Sequence, residues 1–149
     1  MTDPLRELRD QREIEALLAR YASALDARDW MRLSSCFTAE AVAEYGGPLG
    51  RCVGANALVE ACRRTLEPLD ASHHLIGSIE IEVGTDTAHS HCAFQAQHVR
   101  KGCEGGSNFL LGGHYRDELV RTSEGWRIRH RELLVSWRDG NPRVLGDPR

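Results

Sequence analysis

The sequence predicts an α+β fold in which a cone-shaped, curved antiparallel sheet packs on N-terminal helices. Helical periodicity dominates the first half of the chain, and period-two alternation dominates the second. The late strands follow one another through turn-rich segments, with no helices between them, which excludes βαβ winding. A strongly curved sheet wrapped over helices leaves a hollow where a ligand can bind.

The first helix is the clearest element. Ile14, Leu17, Leu18, Tyr21, Ala22 and Leu25 form one apolar stripe over three turns, and Leu5 and Leu8 extend it back to a Pro4 start signal. The pattern breaks near Ala27-Arg28, where Asp29 can cap a short second helix through Trp30, Met31, Leu33 and Phe37. Ala41 to Tyr45 reads as a short strand stopped by Gly46-Gly47-Pro48. A third helix opens at Gly54-Ala55-Asn56 and carries Leu58, Cys62 and Leu66 on one face.

Beyond the polar loop Glu67 to Asp70 the period changes to two. Ile79 to Val83 alternates, and Thr87 to Arg100 places Ser90, Cys92, Phe94, Ala96 and His98 on one face. A glycine-rich loop separates this strand from two long ones, Asn108 to Arg121 and Trp126 to Trp137, which a turn at residues 122–125 joins. The reading is one domain over residues 1–149, with a core of about 5–138 and a loosely held polar tail over 139–149.

Composition narrows the function. With 41% hydrophobic and 28% charged residues the chain is an ordinary globular protein, and a net charge of −3 argues against nucleic acid or a membrane surface as partner. The N-terminus lacks a signal-peptide pattern, and five cysteines without CxxC spacing suggest reduced thiols in a cytoplasmic protein. No metal site is expected, since His89 and His91 share a strand face but no Cys or carboxylate pattern completes a set. No phosphate loop, dinucleotide fingerprint or other cofactor motif is present either.

The chemistry concentrates on a few side chains. His73 and His74 stand where loop gives way to strand, and an imidazole there can serve as a general base. A register slip of one residue would exchange which of the two points inward. Asp26 lies at the edge of the first helix's stripe, where a carboxylate needs a partner. Tyr45 is a half-buried strand aromatic or a pocket phenol. His98 shares a face with Phe94 and Cys92, as a core histidine or a pocket acid would, and the alternation around Tyr115 leaves its face ambiguous.

Taken together, Tyr21 to Trp30 and His74-Leu75-Ile76-Gly77 resemble motifs of the SnoaL-like branch of the nuclear transport factor 2-like superfamily, which includes scytalone dehydratase and hexachlorocyclohexane dehydrochlorinase. The resemblance runs over roughly Ile14 to Trp137. It implies that Asp26 is the dyad aspartate, His74 the catalytic histidine of a His-x-x-Gly motif, Tyr45 a carbonyl-polarising phenol and His98 a second pocket histidine. Leu25 stands where the dehydratase has another tyrosine, and Tyr115 where it has an asparagine, which implies a different substrate. Tyr21, Tyr115 and His73 are the expected substrate contacts.

The implied activity is a cofactor-independent lyase that eliminates water from a small cyclic or polyketide-type hydroxy-carbonyl compound. His74 would act as base, with Tyr45 or His98 stabilising the enolate or protonating the leaving group. An isomerase or polyketide cyclase would use the same base. The rival reading is a non-catalytic small subunit of an aromatic-ring dioxygenase, or a ligand-binding or dimerisation module. A homo-oligomer, dimer or trimer, is expected from the long late strands.

Overall fold

The structure, a computed structural model, describes residues 3–146. Helix α1 (Pro4–Ala27) starts where the Asp3 carboxylate accepts the Leu5 N–H at 3.1 Å, and it ends at Arg28, whose left-handed backbone (φ 57°) reverses the chain. Asp29 then caps α2 (Trp30–Ser34) by accepting the Arg32 N–H at 3.0 Å. Strands β1 (Phe37–Glu44) and β2 (Arg51–Val53) precede α3 (Ala55–Leu66), and β3 (Ala71–Val83), β4 (Thr87–Val99), β5 (Asn108–Thr122) and β6 (Gly125–Gly140) follow.

The six strands form one sheet in the order β2-β1-β6-β5-β4-β3, and the helices pack against it. The sheet is mixed and open. β1 runs parallel to β6 while every other pair is antiparallel, because the chain enters the sheet beside its last strand. Register shifts curve it, among them one in β3 between Gly77 and Glu80, where Ser78 has φ 48°, and a second between β5 and β6 at the Gly112/Gly113 bulge. A side chain at Gly113 would run into the Leu134 carbonyl, so the second bulge requires glycine.

Four expectations are corrected in detail. Phe37 starts β1 and lies outside α2, which ends after one capped turn. The β2 edge strand went unseen because it is three residues long. β3 begins before the histidines, so His73 and His74 lie inside a strand. The tail is also not loose where the structure describes it: Pro142–Leu145 forms a 3-10 turn that buries Val144 in the core, while 147–149 lie outside the described residues.

All five cysteines are free, and among the described residues no helix is long and apolar enough to cross a membrane. At the far end of α1, buried Asp10 accepts both terminal nitrogens of Arg121 at 2.8 Å and the Trp126 indole N–H at 3.0 Å. The Arg121 hydrogen bonds, more than offsetting burial, hold the Asp10 carboxyl at about 2. A carboxyl lowered in the folded state stabilises it above the ordinary value near 4, and that contribution is lost as pH falls towards about 2. Asp10→Asn is expected to lower stability by on the order of 1–2 kcal/mol at pH 7. Thermal unfolding followed from pH 7 to pH 2 should show the gap to the wild type closing as the wild type loses stability.

Candidate active site

Asp26 stands in the last turn of α1, one residue after Leu25, at the edge of the buried stripe. The helix stop at Arg28 keeps it facing β3, and three hydrogen bonds converge on it. His74 donates its backbone N–H to Oδ2 at 2.8 Å and its ring Nδ1–H to Oδ1 at 2.7 Å, and Ser72 donates its hydroxyl to Oδ1 at 3.1 Å. Arg28 in turn donates Nη1–H to the Ser72 hydroxyl at 2.7 Å. Burial works against the ionised Asp26, but the His74 ring and backbone and the Ser72 hydroxyl outweigh it and keep the carboxyl below its ordinary range.

With Nδ1–H given to the carboxylate, the lone pair of His74 is on Nε2. The His74 side chain is only 7% exposed and lines a partly open hollow under the sheet together with Tyr21, Tyr45, His98 and Tyr115. The remaining wall is largely apolar, made by Leu25, Leu66, Phe94, Leu111, Leu133 and Leu145 among others, and among the described residues no lysine or arginine lines it. Its volume is about 70 Å³, against the roughly 150 Å³ of a cavity that holds benzene, so a ring-sized ligand must widen it. Larger hollows of 580 and 560 Å³ are open grooves, and neither is lined by His74 or Asp26.

Alternation places the remaining candidates. His98 faces inward from β4, with its ring 5.8 Å from that of His74 and perpendicular to it. Its Nδ1–H donates to the Phe109 carbonyl at 3.1 Å, and burial, with the His74 ring adding to it, pushes the His98 pKa down to about 4. His98 is therefore neutral near pH 7, with an acceptor at Nε2. This corrects the proton-donor role expected of it.

His73 is corrected as well. Adjacent residues of a strand point to opposite faces, so His73 is exposed on the outer face while His74 points in. Tyr21 and Tyr45 bring their hydroxyls within 3.2 Å of each other, and the Cys62 thiol lies 3.8 Å from Tyr45. Burial pushes Tyr21 up to about 12 and raises Tyr45 and Tyr115 well above the ordinary phenol range, so all three stay protonated donors.

Sequence reasoning missed Ser72, Arg28 and a buried pair behind the tyrosines. Arg131 and Asp117 have side chains without solvent exposure and join through two hydrogen bonds of 2.7 Å. It also missed the hollow's cover. Leu145 lines the hollow from the 3-10 turn, which Asn141 anchors by donating Nδ2–H to the carbonyls of Glu104 and Gly106 at 2.9 and 2.8 Å. Asn141→Ala is expected to free this cover by about 1–2 kcal/mol. Mass spectrometry should then find Cys62, in the hollow's wall, reacting about tenfold faster with a small methanethiosulfonate.

Comparison with known proteins agrees with this architecture. The SnoaL-like domain family matches residues 6–132. The chain is similar to the uncharacterized protein Rv2910c of Mycobacterium tuberculosis, with 32% identity over 128 residues that cover 84% of each chain. Among solved structures it is similar to a scytalone dehydratase-like protein of Novosphingobium aromaticivorans, with a TM-score of 0.81 and 22% identity over 91% of this chain and 89% of that one. It is also similar to the hexachlorocyclohexane dehydrochlorinase LinA-type3 of Novosphingobium barchaimii, with a TM-score of 0.81 and 18% identity over 99% and 100% of the two chains.

Proposed function

The chain belongs to the SnoaL-like domain family of the nuclear transport factor 2-like superfamily, and from that premise we propose that it is a lyase eliminating water from a small, neutral, cyclic hydroxy-carbonyl compound with its own side chains. The observation that carries this reading is the half-buried His74–Asp26 dyad, whose carboxylate accepts the ring Nδ1–H with one oxygen and the His74 backbone N–H with the other. Two proteins of similar fold carry the names of eliminating enzymes, a dehydratase and a dehydrochlorinase, which supports elimination over isomerisation or cyclisation.

In the proposed reaction Nε2 of His74 takes a proton from the carbon next to the substrate carbonyl. The C–H electron pair moves onto the carbonyl oxygen as an enolate, and the hydroxyls of the Tyr21–Tyr45 pair hold that oxygen. The enolate then collapses to a carbon–carbon double bond and expels the β-hydroxyl, which leaves as water with the proton from the His74 imidazolium. One hydroxy-carbonyl gives one enone and one water, and the dyad returns to its starting state. Asp26 fixes the ring and stabilises the imidazolium, as the acid of a catalytic triad does. Neutral His98, presenting an acceptor, can orient the departing hydroxyl. A hollow lined by leucines, with no lysine or arginine among the described residues of its wall, favours an uncharged substrate.

A panel of cyclic β-hydroxy ketones, followed by the absorbance of the conjugated product, tests the reading. The wild type should turn over at least one member, and His74→Gln should be slower by about 10³-fold or more. Equal rates for the two proteins would remove His74 from the reaction.

A further inference from the structure

The chain contains three tyrosines, and all of them meet in one cluster. The ring centroids of Tyr21 and Tyr115 lie 5.6 Å apart, edge to face, and Tyr21 shares its hydroxyl contact with Tyr45. Arg131 is inserted behind them. The centre of its guanidinium lies 4.1 Å from the Tyr21 ring centroid and 4.0 Å from that of Tyr115. Asp117 grips its Nε and Nη2, and the Ser90 hydroxyl steadies Asp117 at 3.3 Å.

Such a pair is poorly explained by stability alone. Removing two charges from water is costly, and apolar residues of similar volume commonly serve a core as well or better. Arg131 also keeps Nη1 buried with no hydrogen-bond partner. It does not line the hollow, so any effect on a bound molecule must pass through the aromatic rings that do. A cation against the ring faces fixes both tyrosines and favours negative charge on their oxygens, in opposition to burial. The remaining titratable groups of the cluster are Cys62 of α3 and Cys92 of β4, which burial keeps as neutral thiols.

We propose that Arg131, clamped by Asp117 between Tyr21 and Tyr115, is the positioning residue that makes the Tyr21–Tyr45 hydroxyl pair the pocket's oxyanion site. The proposal rests on the base-catalysed elimination reading. It gives Tyr21 the part of the hydroxyl that Leu25 lacks, supplied from one turn earlier on the same helix. In the reaction Arg131 touches no substrate atom. It holds the donors still and lowers the cost of the charge that builds on the enolate oxygen.

The test needs no substrate. Biosynthetic 3-fluorotyrosine places one fluorine on each ring of the cluster, and Tyr→Phe variants assign the three ¹⁹F resonances. Two variants are compared with the wild type: R131M/D117L, which removes both charges so that neither is stranded, and R131K, which keeps the charge without the flat fork. In a folded R131M/D117L protein the Tyr21 ionisation should move up by about one pH unit or more. R131K should keep most of the wild-type ionisation but displace the Tyr21 and Tyr115 resonances. Against a substrate from the panel, the double variant should lose about tenfold or more in kcat with KM nearly unchanged.

An unmoved Tyr21 titration in the double variant would overturn the proposal. If the double variant fails to fold, resonances in R131K identical to the wild type overturn it instead. A shifted titration in a protein whose wild type eliminates nothing would sink the elimination reading alone. An unshifted one in an active enzyme would sink the role of Arg131 alone.

Discussion

Asp26→Asn is expected to slow turnover by about 10³–10⁴-fold while leaving the chain folded. The orientation of the new amide decides the effect. The backbone N–H of His74 is fixed by the strand and needs an acceptor, so the amide oxygen takes the position of Oδ2. The NH₂ group is then left at the position of Oδ1, facing Nδ1 of His74 and the Ser72 hydroxyl. A donor facing Nδ1 forces the ring proton to Nε2, and the lone pair leaves the hollow. Long-range ¹H–¹⁵N spectra of the imidazole read this directly. The wild type should show the Nδ1–H form and Asp26→Asn the Nε2–H form, with unchanged backbone dispersion. An Nδ1–H ring in the variant would mean that the carboxylate does not set the tautomer.

The second large effect is on stability. Asp117→Ala should destabilise the fold by about 3–5 kcal/mol, because it leaves the guanidinium of Arg131 buried without its counter-charge. Denaturant unfolding of the single variants and of the R131M/D117L pair forms a double-mutant cycle. The pair should be much nearer the wild type than either single variant, since removing both charges removes the stranded one. A double variant as unstable as the sum of the singles would show that the two residues contribute separately.

The legible parts of this molecule follow from its two periodicities. The stripe from Ile14 to Leu25 placed Asp26 beside the core, and the alternation in β4 put His98 with Phe94 and Cys92 on the inner face. Alternation could not choose between His73 and His74, because a pattern of period two fixes a face only when the register is known. The register comes from a tertiary contact, the bond from the His74 backbone to Asp26.

Arg131 was hidden for a different reason. In β6, Trp126 and Ile128 are buried on the even positions, which predicts that Arg131 faces solvent. A register shift opposite Glu118/Leu119 makes Arg129 an extra residue and reverses the parity, so that Arg131 points inward. One signal was available. Asp117 lies on the Tyr115 and Leu119 face of β5, and an inward carboxylate there called for a cation on the neighbouring strand. The cover formed by Pro142–Leu145 rests on one buried valine and on Asn141, too short a pattern to have a period.

Proton abstraction by His74 is the central claim, and isotope exchange tests it most directly. Each ketone of the panel is incubated in D₂O with wild-type protein, His74→Gln or Asp26→Asn, and deuterium next to the carbonyl is followed by NMR. The account predicts enzyme-dependent incorporation by the wild type, none above background with His74→Gln and a small residue with Asp26→Asn. Incorporation that is as fast with His74→Gln as with the wild type would contradict it.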